Sequence, residues 1–195
     1  MEFQKPFVVG IAGGSASGKS TLCGLLMEAL PGYDVLAIHM DDYFKPGHER
    51  PFTQAPFREA SYMDDNHPAA MGLSRLSNDL RRAVKKRKHQ VIIVEGLLVL
   101  WEKSIRAQLD LKLFVDCRAD ERIVRRLKRN MGWGLSFDEV ADVYLDMVRY
   151  RHDEYVEPTR WHADLVINGS AISAAAVEMI ARYVKTTTTK EKPTC

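Results

Sequence analysis

Five short, mostly apolar runs punctuate the chain: Phe7–Ala12, Val35–His39, Val91–Val94, Leu111–Val115 and Leu165–Ile167. Their apolar positions are consecutive rather than alternating, as in strands covered on both faces of a parallel sheet. Between them the period is helical. Leu22, Leu25, Leu26 and Ala29 share one face over Thr21–Leu30, a segment stopped by Pro31 and Gly32. Leu73–Lys88 starts apolar and turns basic, and Ala119–Met131 keeps a helical spacing. Ser136 with Glu139 makes a capping box that opens a helix to about Tyr155, and a last helix covers about Ser173–Val184. This alternation predicts an α/β layer fold around a parallel sheet. Tyr43–Asn66 has three prolines and no sustained period, so it reads as a long loop containing short structure. Thr186–Cys195 is polar and reads as a disordered tail beyond one domain spanning 1–185.

Composition narrows the function classes. With 195 residues, 46% apolar and 28% charged, the chain is long enough to bury its own core. Twenty-eight basic against 26 acidic residues leave a net charge of +2, which argues against nucleic-acid or membrane partners. The basic run Arg81, Arg82, Lys85 to Lys88 reads as solvated surface. Three separated cysteines, no signal-like start at Met1–Pro6 and no membrane-length apolar run fit a cytoplasmic protein. The six histidines show no metal-binding spacing, and Cys23 and Cys117 read as small buried apolar residues.

The sharpest chemical signal is Gly13-Gly14-Ser15-Ala16-Ser17-Gly18-Lys19-Ser20, a complete G-x-x-x-x-G-K-[ST] match between a predicted strand and a predicted helix. Such a loop turns its amides onto a phosphate chain, and the helix start adds its positive dipole end. Lys19 then reaches the β- and γ-phosphates, and Ser20 offers a hydroxyl to Mg²⁺. Asp41 and Asp42 follow the second strand, at the carboxyl edge where open parallel sheets bind ligands. Asp41 there can take the proton of an attacking hydroxyl, whereas capping of the next turn is the plainer role of such a pair. Glu95 ends the third strand in an Glu-Gly turn, a common strand ending that beside a P-loop also suits Mg²⁺. Arg122, Arg125, Arg126 and Arg129 lie on one helix face, either as a solvated stripe or as part of a mobile lid over about 118–135.

Taken together, the segments Gly10–Thr21, Asp41-Asp42-Tyr43-Phe44-Lys45-Pro46, Asn66-His67-Pro68-Ala69-Ala70-Met71, Glu95-Gly96 and Pro158–Asp164 make the chain resemble the uridine kinases, and more distantly the nicotinamide riboside kinases, over about 7–170. The resemblance implies a P-loop NTPase three-layer fold with a doubly wound parallel five-stranded sheet and a helical lid. It implies ATP and Mg²⁺, and γ-phosphoryl transfer to the 5′-hydroxyl of a nucleoside, uridine or cytidine first. Nucleotide-binding positions are then Gly13 to Thr21 with Arg126, and the metal falls to Ser20 and Glu95. Asp41 matches the base and Lys19 and Arg122 act with it, while Asp41, Tyr43, Asp65, Asn66, His67 and Arg122 face the acceptor. The resemblance is also compatible with a homo-oligomer.

Three departures keep the acceptor open. Asn66, not an acid, precedes His67-Pro68; Leu73–Gln90 leaves no room for the family's base-reading hairpin; and Met131-Gly132-Trp133-Gly134 stands where further lid arginines are expected. Nicotinamide riboside, or a hydroxyl of a sugar or vitamin precursor, is the alternative acceptor. A nucleotide-binding switch that turns over ATP for a partner protein is the rival of a different class.

Overall fold

The computed structural model describes residues 5–189. In chain order the elements are β1 (Phe7–Gly13), α1 (Lys19–Glu28), β2 (Val35–His39), β3 (Phe52–Gln54), β4 (Ser61–Met63), α2 (Leu73–Lys86), β5 (Val91–Glu95) and α3 (Lys103–Arg106). They continue with β6 (Leu111–Asp116), α4 (Ala119–Met131), α5 (Phe137–Val143), α6 (Arg149–Arg151), β7 (Leu165–Asn168) and α7 (Ala174–Thr189). The five apolar runs form one parallel sheet in the order β2-β5-β1-β6-β7. β1 sits at its centre, and the chain winds from it toward both edges, so the α/β doubly wound expectation holds.

Strand alternation explains why both faces need helices. Val9 and Ile11 point into a core with Leu22 and Leu26 of α1 and Ile180 and Val184 of α7. Val8 and Ala12 point the other way, onto Leu76 and Leu80 of α2, Ile105 of α3 and Phe114. A central strand apolar at every position is stable only when both faces are dry.

Several boundaries move. α1 begins at Lys19 rather than Thr21, and α2 ends at Lys86 because Arg87 turns left-handed at φ 48°. The segment read as a loop over Tyr43–Asn66 contains the β3-β4 hairpin, with Thr53 opposite Tyr62. The capping box at Ser136 and Glu139 forms in both directions, yet the helix it opens is not uniform. π-helical turns at Tyr144–Val148 and His152–Val156 flank α6. Each wider turn shifts the buried face. The first half thereby packs Tyr144, Met147 and Val148 on Tyr62 and Ile123, and the second delivers Val156 to the sheet core. The last helix passes the expected Val184 and continues to Thr189. Thr186, Thr187 and Thr188 hydroxyls each donate 2.8 Å bonds to the carbonyls four residues back, which corrects the tail expectation for these residues. The remainder of that tail, with Cys195, and the start Met1–Gln4 lie outside the described residues. Among the described residues, no helix is long and apolar enough to cross a membrane.

Candidate active site

β1 ends at Gly13 and the chain turns at once into α1. That turn requires positive φ at Gly13 (145°), Ala16 (61°) and Gly18 (106°). A Cβ on Gly13 would also stand 2.4 Å from the Val115 carbonyl oxygen and 2.8 Å from Ser17 Oγ. Ser17 N donates to the Gly14 carbonyl at 3.1 Å and closes the loop, while Ser17 Oγ is buried without a protein partner. Gly18 caps α1 with no side-chain bond, so the first-turn amides, Thr21 among them, have no capping oxygen. Lys19 folds back, its Nζ donating to the Gly14 carbonyl at 2.9 Å. The shape is a phosphate cradle: a tight backbone turn, an orphaned hydroxyl, open amides and a tethered ammonium.

Sheet register brings the acids to this loop. Glu95 is level with Ile11 on one side and His39 on the other. Ser20 Oγ donates to Glu95 Oε1 at 3.0 Å, and His39 Nδ1 lies 2.9 Å from the same oxygen. Asp41 sits on the one-turn helix Met40–Tyr43 that leaves β2. Met40 is buried so tightly under Gly96 that a Cβ there would come within 2.2 Å of the methionine Cβ, which pins this turn beside the end of β5. Burial, against the pull of Lys19, raises the Asp41 pKa, with Glu95 adding to the rise. Burial lowers that of Lys19, although Glu95 and Asp41 oppose the shift. Asp42 and Tyr43 turn elsewhere: the Asp42 carbonyl accepts from Arg75, and the Tyr43 hydroxyl donates to Asp79 at 3.1 Å on α2.

α4 lays its arginines on the loop. Arg122 is only 5% exposed, and its Nε donates to the Cys117 carbonyl at 3.0 Å. Its guanidinium lies over Gly14, where a Cβ would meet Nη1 at 2.4 Å. Arg126 Nη1 donates to Ser15 Oγ at 2.8 Å, and burial lowers the pKa of this guanidinium, helped by Arg129. Arg125 departs from the stripe: it ties the Gly169 and Ser170 carbonyls at 2.8 and 3.2 Å, a scaffold contact. Arg129 stacks over Trp133, in the segment where further arginines were expected.

The residues at 64–67, expected to face the acceptor, divide their partners one by one. Asp64 is fully buried and held by Arg151 Nε at 2.7 Å and Thr53 Oγ1 at 2.6 Å. Its second oxygen accepts from the Asn66 amide at 3.2 Å, so Asp64 shapes the loop. Asp65 pairs with Arg50 at 2.9 Å and is half-exposed. Asn66 is buried, and His67 Nδ1 accepts from the Ala69 amide while its ring edge meets Tyr155. Sequence reading missed Thr53 and Arg50, and it singled out Tyr150-Arg151-His152 only as a segment similar to the riboside kinases, with no partner for Arg151 or His152. Arg151 meets Asp64 across 87 residues, a pairing no local pattern encodes. The hairpin itself is fastened to the helical arm by Arg58, which pairs with Asp142 and Asp146 at 2.8 Å each.

The donor set fits a magnesium ion shared with a phosphate chain. Among the described residues no group of three His, Cys, Asp or Glu side chains could hold a metal unaided. Ser20 Oγ and Glu95 offer two oxygens beside the cradle, and Mg²⁺ commonly takes its remaining ligands from water and phosphate.

Comparison with known proteins agrees with this geometry. The model of the phosphoribulokinase / uridine kinase family matches residues 74–175. Uridine kinases of Bacillus licheniformis and of Bacillus subtilis strain 168 are each 32% identical to this chain, covering 94% of it and 95% of their own length. A solved structure of a possible uridine kinase from Bacillus stearothermophilus superposes with TM-score 0.59 at 18% identity, over 85% of this chain and 90% of that one. A proposed fructose transport system kinase from Silicibacter sp. TM1040 gives 0.58 at 15%, over 83% and 89%. The chain therefore belongs to the phosphoribulokinase / uridine kinase family, and it is a kinase, a phosphotransferase with an alcohol group as acceptor.

Proposed function

We propose that this kinase transfers the γ-phosphoryl of ATP to the 5′-hydroxyl of a pyrimidine nucleoside, uridine or cytidine, with Mg²⁺ held by Ser20 and Glu95. The observation that carries the reading is the convergence of Lys19, Asp41 and Glu95 at the carboxyl ends of β1, β2 and β5, beside the cradle of Gly13 to Ser20. The relatives named uridine kinases support the acceptor.

Asp41 accepts the proton of the attacking hydroxyl. Its raised pKa makes it a stronger base than an ordinary surface carboxylate. Lys19 leaves the Gly14 carbonyl for the β- and γ-phosphates, and the Arg122 and Arg126 guanidiniums over Gly14 and Ser15 spread the charge that develops on the moving group. Bound magnesium offsets phosphate charge. Glu95 keeps Ser20 oriented for it through their 3.0 Å bond. The segment 118–135, anchored by its Arg122 end and exposed from Met131 through Phe137, serves as the lid that excludes water. Asp65, Asn66 and His67 face the acceptor, and Tyr43 joins them only when its hydroxyl leaves Asp79.

A second reading has its own observation. α2 and β5 are joined by only four residues, 87–90, so no hairpin stands there to read a base. A sugar or vitamin precursor, or nicotinamide riboside, then takes the nucleoside's place. ATP consumption measured over uridine, cytidine, nicotinamide riboside, hexoses and vitamin alcohols separates the two. The pyrimidine reading expects uridine or cytidine to be preferred by at least tenfold, on the order of one lost polar recognition contact. Preference for any other compound overturns it. Asp41→Asn is expected to keep the KM for ATP while kcat falls by about 10³-fold. Undiminished transfer in that variant would remove Asp41 as the base and favour the switch reading.

A further inference from the structure

We propose that His152 is a specificity residue whose Nδ1 accepts a hydrogen bond from a hydroxyl of the phosphoryl acceptor other than the one phosphorylated. The inference deepens the nucleoside-kinase reading and rests on it.

Three observations converge. His152 Nδ1 is buried and has no partner among the described residues, and the side chain is only 12% exposed. A buried polar atom left unpaired in a folded protein is uncommon, because it loses water without compensation. Second, the π-helical turn at His152–Val156 aligns His152 with Glu157, whose Oε2 lies 3.3 Å from Nε2. π-turns inside helices recur at functional sites. A carboxylate beside Nε2 places the imidazole proton there and leaves a bare lone pair on Nδ1. Phosphate oxygens offer no donor to such an atom, whereas hydroxyls do. Third, the residue stands between the two halves of the site. Its neighbour Arg151 holds Asp64 of the acceptor-side loop at 2.7 Å. Lys19 of the cradle and Arg122 over it are close enough to act electrostatically on the ring, and with burial they keep it neutral down to about pH 4. In the proposed pose the acceptor's reacting hydroxyl meets Asp41 and another of its hydroxyls reaches His152 Nδ1.

The test compares kcat/KM for uridine with that for its 2′-deoxy and 3′-deoxy analogues, in the wild-type chain, His152→Phe and His152→Asn. The wild type is expected to favour uridine over one analogue by about 10- to 100-fold. His152→Phe should bring that ratio to near one with the KM for ATP unchanged. His152→Asn carries an amide oxygen near the position of Nδ1 and should recover part of it. A ratio unchanged in His152→Phe overturns the proposal. So does a uniform loss on all acceptors, or a shifted KM for ATP, either of which assigns His152 a structural role. If the wild type phosphorylates no ribonucleoside, the nucleoside reading fails by itself. The same deletion of single hydroxyls on whichever acceptor is consumed then decides His152 separately: selective loss of discrimination in the phenylalanine variant upholds it, and none overturns it.

Discussion

Acidification should weaken this fold through one identifiable histidine. His152 is buried beside Arg122 and Lys19, and its pKa falls from 6.5 to about 4, mainly through burial and then through the two cations. Glu157 lies 3.3 Å from Nε2 and opposes them, but its side chain is 44% exposed and water screens it. Between pH 6.5 and pH 4 the unfolded chain binds a proton at this residue that the folded chain refuses. Stability therefore rises with pH across that window and is lost as pH falls through it. The pKa difference corresponds to a loss of about 3 kcal/mol between pH 7 and pH 4, at 1.4 kcal/mol per pH unit. Carboxylates titrate over the same range, so the quantity to read is the difference between wild type and His152→Phe. Urea denaturation of both, at steps from pH 7.5 to 4, should show the wild type losing about 3 kcal/mol relative to the variant. Curves that stay parallel within about 0.5 kcal/mol, near the extrapolation error, would show that Glu157 compensates the ring and that His152 is not held neutral.

Other consequences are more local. Gly14→Ala puts a Cβ 2.4 Å from Arg122 Nη1, so the arginine or the loop must move, and kcat/KM for ATP should fall by about 100-fold in steady-state assays with little change in far-UV circular dichroism. Arg151→Met strands the fully buried Asp64 and should cost about 3 kcal/mol in urea denaturation at pH 7; a loss under about 1 kcal/mol would mean that Thr53 and the Asn66 amide suffice. The Cys23 thiol is pushed up to about 11 by burial and then by Glu95, so peptide mapping after iodoacetamide treatment at pH 8 should find it unmodified in the native protein and alkylated in urea.

The sheet and the cradle were legible because their causes are local. Consecutive apolar residues such as Val91–Val94 can sit only between two covering layers, and the glycines at 13 and 18 of the loop motif both take the positive φ that its tight turn needs. Glu95 and Asp41 could be singled out by position, since Glu95 ends β5 and Asp41 lies on the turn that follows β2, at the edge where open parallel sheets bind ligands. The hairpin at Phe52–Met63 escaped because its strands have three residues each, and much of its anchorage is distant: Arg58 to Asp142 and Asp146, Tyr62 to Asp146, Thr53 to Asp64 and Arg151. The same distance hid the division of Asp64, Asp65 and Asn66. Only the fold shows that Arg151 claims Asp64 and leaves Asp65 with Arg50.

That division has a mechanical consequence for the site. The loop at 64–67 is not an independent flap, because its buried acid is fastened to Arg151 at the end of α6, and His152 follows at the start of the next π-turn. The hairpin leading into the loop is fastened to the preceding π-turn and α5 by Arg58 and Tyr62. Thus the segment from Phe137 to Val156 and the segment from Phe52 to Asn66 share ion pairs and hydroxyl bonds, with the acid buried in the Arg151–Asp64 pair, and α4 is bonded to the cradle through Arg126 and packs its Arg122 over Gly14. The two groups are themselves joined, because Ile123 of α4 packs on Tyr144, Met147 and Val148, and the Tyr144 hydroxyl donates to the Ala119 carbonyl at 3.4 Å. The residue proposed to read the acceptor therefore stands one position from the arginine that holds the buried acid of this loop, so a change that frees Arg151 should disturb both together.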